Sequence, residues 1–391
     1  MTKNLLFICI SLLLASCSSE SSFKFTVKNG SDFDRVDQVL EIPVRRLEKS
    51  LTLGEGQVYN VVDDSGEVLP SQITYNNRFI FQPKLKAKEA KGFKIIASAP
   101  VEFEKLVDVK FRPERYDDMA WENDKVGFRF YGKALEAVQA PTSGLDIWCK
   151  RTDRLVLDEW YPNDISGKAS YHVDHGEGAD FYPVGRTLGA GSMSPFIDGK
   201  LQLNSNFVSH EILDNGPLRV SFKLTYPMVS LGYKELLETK TITLDAGSYL
   251  TKIVQDYNTD DQRDHFTVAA GFAYRGEENP ITVYNRRLNY LIYDDPAVKE
   301  NGNVYLGLII PQGIEKNLID TYSVDNGDGT QSTAGNVLAS ITYMPGAAPI
   351  YYVGFGWDKA GFETLESFEE YIAAYSRRAK EPFVVTYEDQ K

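Results

Sequence analysis

The chain has 391 residues, a formal net charge of −13 at pH 7 and 42% hydrophobic residues, with only four histidines. This length and apolar share are sufficient for a large hydrophobic core. The acidic balance and the lack of any basic block argue against nucleic acid as a partner, because phosphate backbones bind clusters of Lys and Arg.

The chain begins with a pattern typical of a bacterial lipoprotein signal peptide, residues 1–17. A basic start is followed by an apolar stretch, Leu5 to Leu14, that is too short to span a bilayer. The following Ala15-Ser16-Cys17 completes a resemblance to a lipobox, so we expect cleavage before Cys17 and lipid attachment to it. An ordinary secretion signal is the alternative. Residues 18–22 would then be a tether, and the protein would be lipid-anchored in the bacterial outer membrane or periplasm.

Two folded parts are expected after the tether. Residues 23–100 predict a small N-terminal β-sandwich, because short apolar runs alternate with turn sequences such as Asp63-Asp64-Ser65-Gly66. Residues 101–391 predict one large double-sheet module that would carry the catalytic site. Cys149 would be the only unmodified cysteine of the mature chain, so the core must hold this fold without an internal disulfide.

The large module shows several clear strand patterns. Residues 218–226 alternate apolar and polar, as a half-buried antiparallel strand does, and Glu238 to Leu244 and Tyr249 to Tyr257 continue this pattern. Val304 to Ile310 and Ile350 to Phe355 are more continuously apolar, which indicates strands buried on both faces.

One helix is predicted near the C-terminus, from about Glu363 to Arg378. Its apolar residues recur at spacings of three and four, which is the period of an amphipathic helix. The predicted fold class is therefore all-β: a small sandwich, then a large one, with one C-terminal helix.

The stretch 170–191 concentrates groups that can transfer protons. Its five glycines and one proline exclude a packed helix or a long regular strand. A loop rich in such groups is typical of an active site. The candidates are Tyr171, His172, Asp174, His175, Glu177, Asp180, Tyr182 and Arg186.

A second group of candidates for substrate binding precedes this loop. Trp121 with Glu122 and Asn123 suits a sugar, because the apolar C–H face of a pyranose packs on an aromatic ring. Arg129 follows on the next predicted strand, where simple alternation with its neighbours is the alternative explanation. His210, at the start of a later strand, would reach the site across the sheet.

A metal site is possible but not favoured. His172 and His175 would point to opposite faces of a straight strand, and Asp174, Glu177 or Asp180 would have to complete the ligand set. The other alternative is that both histidines only hydrogen-bond the surrounding loop. We expect no cofactor.

Several stretches carry a family resemblance. Residues 239–248 resemble the strand–turn–strand of galactose-mutarotase-like sandwiches. Through residues 25–29, 120–129 and 170–191, the chain resembles a lipoprotein family called domain of unknown function 4861. Members of that family look like parts of polysaccharide-utilisation systems, and some are similar to dehydratases that act on terminal uronic acids of ulvan-type oligosaccharides. The resemblance implies a galactose-mutarotase-like β-supersandwich and carbohydrate chemistry.

The candidate residues suit β-elimination from a terminal uronic acid of an oligosaccharide. The C5 proton is weakly acidic, because its loss adds charge beside a carboxylate, and a paired arginine stabilises the enolate-like transition state. A hydroxyl leaving group defines a dehydratase, and a sugar leaving group defines a lyase. The hypothesis assigns the carboxylate to Arg186 or Arg129, the base to His172 or His175, and the acid to Tyr182 or Tyr171.

Three other functions fit the same residues. A glycoside hydrolase needs two carboxyl groups, which Glu122, Asp174, Glu177 or Asp180 would supply. A mutarotase-like epimerase would use His210 with a distant Glu. A non-catalytic surface glycan-binding lipoprotein would need neither His172 nor His175.

Overall fold

The computed structural model describes residues 22–231, 234–259, 265–296, 301–325 and 330–388. The predicted signal peptide, Cys17 and all but the last residue of the predicted tether lie outside these ranges, so the lipid anchor and the location stay predictions. Within the described ranges, no helix is long and apolar enough to cross a membrane.

The described chain is mostly β-structure, which confirms the predicted fold class. Two short 3-10 helices, Pro113–Arg115 and Lys133–Ala137, accompany the helices α1 (Val44–Glu48), α2 (Leu157–Ile165) and α3 (Leu365–Arg378). The strands are β1 (Ser22–Lys28), β2 (Leu40–Pro43), β3 (Val58–Asp63), β4 (Val68–Leu69), β5 (Ser71–Ile73), β6 (Arg78–Phe81), β7 (Ala90–Ser98), β8 (Val107–Arg112), β9 (Asp118–Asn123), β10 (Val126–Phe130), β11 (Asp146–Lys150), β12 (Gly178–Ala179), β13 (Ala190–Ile197), β14 (Lys200–Leu201), β15 (Ser209–Asn215), β16 (Arg219–Ser230), β17 (Glu235–Asp245), β18 (Leu250–Asn258), β19 (Phe266–Tyr274), β20 (Thr282–Asn285), β21 (Tyr290–Asp295), β22 (Val304–Ile309), β23 (Lys316–Asp325), β24 (Gln331–Tyr343), β25 (Ile350–Trp357) and β26 (Val384–Tyr387).

The N-terminal strands form a small sandwich with its own core. A five-stranded sheet, in the order β26-β1-β7-β3-β4, faces a three-stranded sheet, β2-β6-β5. Phe25 and Phe93 of the first sheet pack on Phe81 of the second. β26 pairs antiparallel with β1, so residues 384–387 complete this sheet although the sequence assigned them to the module 101–391. The boundary near residue 100 stays a prediction.

The larger part is built around an eight-stranded sheet, in the order β15-β16-β17-β18-β25-β22-β21-β20. Two five-stranded sheets, β12-β11-β10-β9-β8 and β14-β13-β19-β24-β23, share one hydrophobic core with it. Trp121 of β9 packs edge-on against Phe222 of β16, for example. A parallel bridge between Leu145 and Gly189 connects the two five-stranded sheets.

The C-terminal helix α3 lies on the eight-stranded sheet. Thr364 caps its first turn by accepting a hydrogen bond from the Ser367 backbone N–H. Phe368 is fully buried against the sheet. The contact depends on Gly307 and Gly356, because a Cβ at either position would lie within 3 Å of the Phe368 ring.

The strand and helix predictions agree with the structure, but the two shorter helices, α1 and α2, were missed. The alternating run 218–226 lies in β16, and the predicted helix is α3. The sequence did not predict α2, because Pro162 lies inside it and only Leu157 and Tyr161 are buried.

We expect Phe368→Ala to lower the free energy of unfolding by about 3–5 kcal/mol, the usual cost of emptying a fully buried aromatic site. Urea unfolding followed by circular dichroism measures this change. Glu370→Ala, on the exposed side of the same helix, is the matched control and should leave the midpoint nearly unchanged. Equal midpoints for the two variants would contradict the packing of α3.

Candidate active site

Two glycines hold the segment 170–191 against strand β11. Gly178, with a φ of +113°, lies so close to β11 that a Cβ would stand 1.9 Å from the Cys149 carbonyl oxygen. Gly189, with a φ of +62°, approaches the Leu145 carbonyl oxygen in the same way, at 2.2 Å. Any larger side chain would separate the segment from the strand. The segment is therefore fixed at both ends of β11, and the residues between them form one wall of a cavity.

The cavity has a volume of about 700 Å³, within the range of small-molecule sites. It lies between the segment, the end of β10 and the turn that follows the second 3-10 helix. Its polar lining residues are Arg115, Arg129, Tyr131, Gln139, Thr142, His172, Asp180, Tyr182 and Arg186.

Arg129 lies at the base of the cavity among three buried carboxyl groups. Its Nε donates to Asp146 at 2.9 Å, its Nη2 donates to Asp180 at 2.7 Å, and its Nη1 lies 3.5 Å from Asp118. The Tyr131 hydroxyl donates to the same oxygen of Asp146 at 2.6 Å. These carboxyl groups surround a guanidinium that is only 3% exposed, although its Nη1 makes no hydrogen bond. Arg129 therefore positions the cavity wall, whereas the sequence had suggested that it binds a substrate carboxylate.

The carboxyl groups around Arg129 are not all ionised at neutral pH. Burial, together with the neighbouring Asp146, raises the pKa of Asp180 to about 8. Burial raises the pKa of Asp118 to about 6, against the opposing effect of Arg129. One cation cannot neutralise three carboxylates in a low-dielectric environment, so protons remain in the cluster. Burial thus favours the protonated form of Asp180, the member of the cluster that lines the cavity.

His172 is held in one tautomer by the main chain. Its Nδ1 lies 2.7 Å from the Asp180 carbonyl oxygen. A carbonyl oxygen only accepts hydrogen bonds, so Nδ1 carries the proton and Nε2 of the neutral ring has a lone pair. The ring lines the cavity, and its side chain is 55% exposed. This arrangement is suited to a general base.

Two further arginines line the cavity without a carboxylate partner among the described residues. Arg115 donates from Nε to the Tyr171 hydroxyl at 2.8 Å, and Arg186 donates to the Pro141 carbonyl oxygen at 3.2 Å. The sequence pointed to Arg186 but missed Arg115, which stands alone at the end of a 3-10 turn. Both guanidinium groups can receive an anion.

The other candidates from the loop and from β15 are placed as follows. Tyr171 is buried against Trp148 and outside the cavity lining. Tyr182 lines the cavity but is also buried, and burial raises the pKa of its phenol. His175 is exposed and bonds the Ser170 carbonyl oxygen at 3.1 Å. His210 stacks on Phe111, away from the cavity.

The cluster around residue 121 lies outside the site, contrary to the expectation from the sequence. Trp121 is fully buried in the main core, so its ring offers no surface to a sugar. Glu122 accepts hydrogen bonds from the backbone N–H groups that begin α2 and from Lys150 at 2.6 Å. Asn123 donates to two main-chain carbonyl oxygens of the turn between β17 and β18. These polar residues hold structural elements together.

Within the described residues, no group of three or more His, Cys, Asp or Glu side chains is placed to hold a metal ion. His172 and His175 each bond a different carbonyl oxygen of their own loop. The expectation that the site needs no cofactor stays a prediction.

Comparison with known proteins places the chain in a family. A family model described as "Domain of unknown function (DUF4861)" matches residues 27–385. The chain belongs to this family. It is 27% identical over 403 residues to "Uncharacterized protein P7" of Formosa agariphila, with 98% of each chain covered.

Two solved structures are similar to this chain at low sequence identity. An alpha-mannosidase from Enterococcus faecalis V583 is 11% identical, with a TM-score of 0.50 over 95% of this chain and 46% of that one. A protein in the glycosyl hydrolase family 38 from the same species is 10% identical, with a TM-score of 0.49 over 95% of this chain and 48% of that one. This chain therefore spans about half the length of the solved structures that it matches.

The raised pKa of Asp180 predicts a pH-dependent stability difference. Between about pH 4 and pH 8 the folded protein retains a proton that the unfolded chain releases, so this group stabilises less as pH rises. Asp180→Asn removes the titration. We expect the unfolding free energy of the variant, minus that of the unmodified protein, to increase across this range and to level off above it.

Urea unfolding at a series of pH values measures this difference. Asp198→Asn, at an exposed turn, is the matched control and should show no comparable trend. A difference for Asp180→Asn that stays constant between pH 4 and pH 8 would contradict the raised pKa.

Proposed function

We propose that this protein is a carbohydrate-active lyase or dehydratase that performs β-elimination at a terminal uronic acid of an oligosaccharide. The observation that carries the proposal is the pairing of His172, whose Nε2 has a free lone pair, with arginines that lack a carboxylate partner in the same cavity. The base and the anion site are the two groups that this elimination requires.

The proposed step starts with the uronate carboxylate bound by Arg115 and Arg186. Their charge offsets the charge that accumulates on the carboxylate as the C5 proton leaves. His172 takes that proton on Nε2. The electron pair of the C5–H bond forms the C4=C5 double bond, and the C4–O bond breaks.

Asp180 is the proposed acid in place of the tyrosines named from the sequence. Its raised pKa keeps the carboxyl protonated up to about pH 8, so it can protonate the oxygen that leaves C4. If this oxygen is a hydroxyl, water leaves and the enzyme is a dehydratase. If the oxygen is glycosidic, a sugar leaves and the enzyme is a lyase. Proton exchange with solvent then restores His172 and Asp180.

The cavity continues beside Arg186, which supports an oligosaccharide as the substrate. Arg186 also lines a neighbouring depression of about 430 Å³ with Asn204, Ser205 and Gln202. Amide and hydroxyl groups of this kind suit sugar hydroxyls. A terminal uronate at Arg115 would leave the next sugar units near this depression.

A glycoside hydrolase is the second candidate, since an alpha-mannosidase has a similar fold. The likeness, at 11% identity, shows the fold alone. A hydrolase would need two carboxyl groups across the scissile bond. Among the described residues, Asp180 supplies the only carboxyl group in the cavity lining, whereas Asp118 and Asp146 bind Arg129 from outside it. This lining favours elimination.

We expect uronate-terminated oligosaccharides to yield an unsaturated product. Absorbance of the new double bond follows the rate, and mass spectrometry identifies the reaction: loss of one water for a dehydratase, gain of one water for a hydrolase. His172→Ala should reduce kcat by about 100-fold or more, because the base is lost. His265→Ala, at an exposed histidine outside the cavity, should keep the full rate. Equal rates for the two variants would refute the role of His172.

Arg115→Gln should lower kcat/KM by about 100-fold or more, since the substrate carboxylate loses a charged donor in the transition state. Arg286→Gln, at an exposed arginine between β20 and β21, serves as the matched control. Steady-state kinetics on the same substrate measure both variants. Wild-type kcat/KM in Arg115→Gln would exclude Arg115 from the carboxylate site.

A further inference from the structure

A second cavity lies between the two sandwiches and shares no lining residue with the first. It has a volume of about 530 Å³. Its floor is the outer face of strands β16, β17, β18 and β25, on the side of the eight-stranded sheet away from the main core. The N-terminal sandwich and the end of α3 form its walls. We call it the interdomain groove.

The floor of the groove carries a continuous row of polar side chains. Ser221 is registered with Thr243, Thr243 with Lys252, and Lys252 with Tyr352, across four neighbouring strands. Neighbouring strands lie about 4.8 Å apart, a distance close to the length of one sugar unit in an extended oligosaccharide. The row therefore offers a hydroxyl, an ammonium and a phenol at regular intervals, whereas Ser221 is 1% exposed and its hydroxyl lies 3.5 Å from that of Thr243.

Ion pairs hold the walls of the groove in place. Arg219 of the sheet donates to Glu41 of the N-terminal sandwich at 2.6 Å. Arg378 of α3 forms two hydrogen bonds with Asp37, at 2.9 and 2.6 Å. Because the groove is already formed, little free energy is needed to order its side chains when a ligand binds.

Two charged groups of the groove are left with unused bonding capacity. No carboxylate of the described residues lies within 4 Å of the Lys252 ammonium, which is half-buried in the floor. Asp214, on the edge strand β15 beside the floor, is 8% exposed, and its Oδ2 has no hydrogen-bond partner. Its Oδ1 accepts from the backbone N–H of Tyr75, whose half-exposed side chain also lines the groove. A buried oxygen without a partner is costly, unless a ligand donates to it.

We propose that the interdomain groove is a second binding site, for an acidic oligosaccharide that lies across the strands. Lys252 binds a carboxylate of one sugar unit, Thr243 bonds a hydroxyl of the next, and Tyr352 and Tyr75 contact the apolar faces of the rings. Asp214 accepts a hydroxyl. The inference rests on the proposed carbohydrate function but not on its reaction.

Titration calorimetry with tri-galacturonic acid tests the site. The His172→Ala protein is the background, so that no ligand is consumed. We expect two equivalents of ligand to bind, one of them in the groove. Lys252→Ala should weaken binding in the groove about tenfold or more, because a charge-assisted hydrogen bond to the ligand is lost. Lys252→Arg should retain most of the affinity.

Lys24→Ala, at an exposed lysine of β1, is the matched control and should bind as the background does. Thermal unfolding of each variant verifies the fold. Unchanged binding in Lys252→Ala, or no second equivalent in the background, would overturn the proposal.

The two proposals fail in different ways. If the protein forms no product from uronate oligosaccharides but Lys252→Ala still weakens binding, only the proposed reaction is wrong. If product forms at the normal rate and Lys252→Ala binds as the background does, only the groove is wrong.

Discussion

Both faces of the eight-stranded sheet must be shielded from water, and the elements that cover each face determine where the two cavities lie. Its inner face is covered by the two five-stranded sheets, and the site of Arg129 lies in one of them. Its outer face is covered at one end by α3 and elsewhere by the N-terminal sandwich. Because a sandwich with its own core meets this face through ion pairs, space for a groove remains between them.

Within the five-stranded sheet, Arg129 organises the candidate active site. Its guanidinium binds residues from β9, β11 and the loop after β12 at once. Burying such a cluster costs free energy. Removal of any one partner would leave a buried charge without compensation, so every partner must be in place. The same cost raises the pKa of Asp180, and the main chain of Asp180 fixes the tautomer of His172. One buried ion network thus influences both proposed proton-transfer groups: the pKa of Asp180 and the tautomer of His172.

The strands and the C-terminal helix could be predicted where the spacing of apolar residues matches the face that is buried. Alternation along residues 218–226 and the three- and four-residue spacing around Phe368 each describe one face of an element, and both predictions agree with the structure. Alternation fails for β9, where all six residues are buried, so the sequence suggests a sugar-binding role for Trp121 that its burial does not support. The pairing of β26 with β1 joins residues more than 350 positions apart, and no local pattern indicates it.

The site was partly predictable, because loop composition identifies chemistry but not pairing. The density of histidine, arginine and acid in 170–191 indicated this loop, and His172, Tyr182 and Arg186 from it line one cavity in the structure. The sequence could not show that Arg129 is occupied, since Asp118, Asp146 and Asp180 reach it from separate segments. Arg115 carried no signal, because a lone arginine in a turn resembles any solvated one. What distinguishes Arg115 from Arg129 is the number of carboxylates around each guanidinium. That number is set by the packing of the segments, so only the folded structure reveals which arginine is available to an anion.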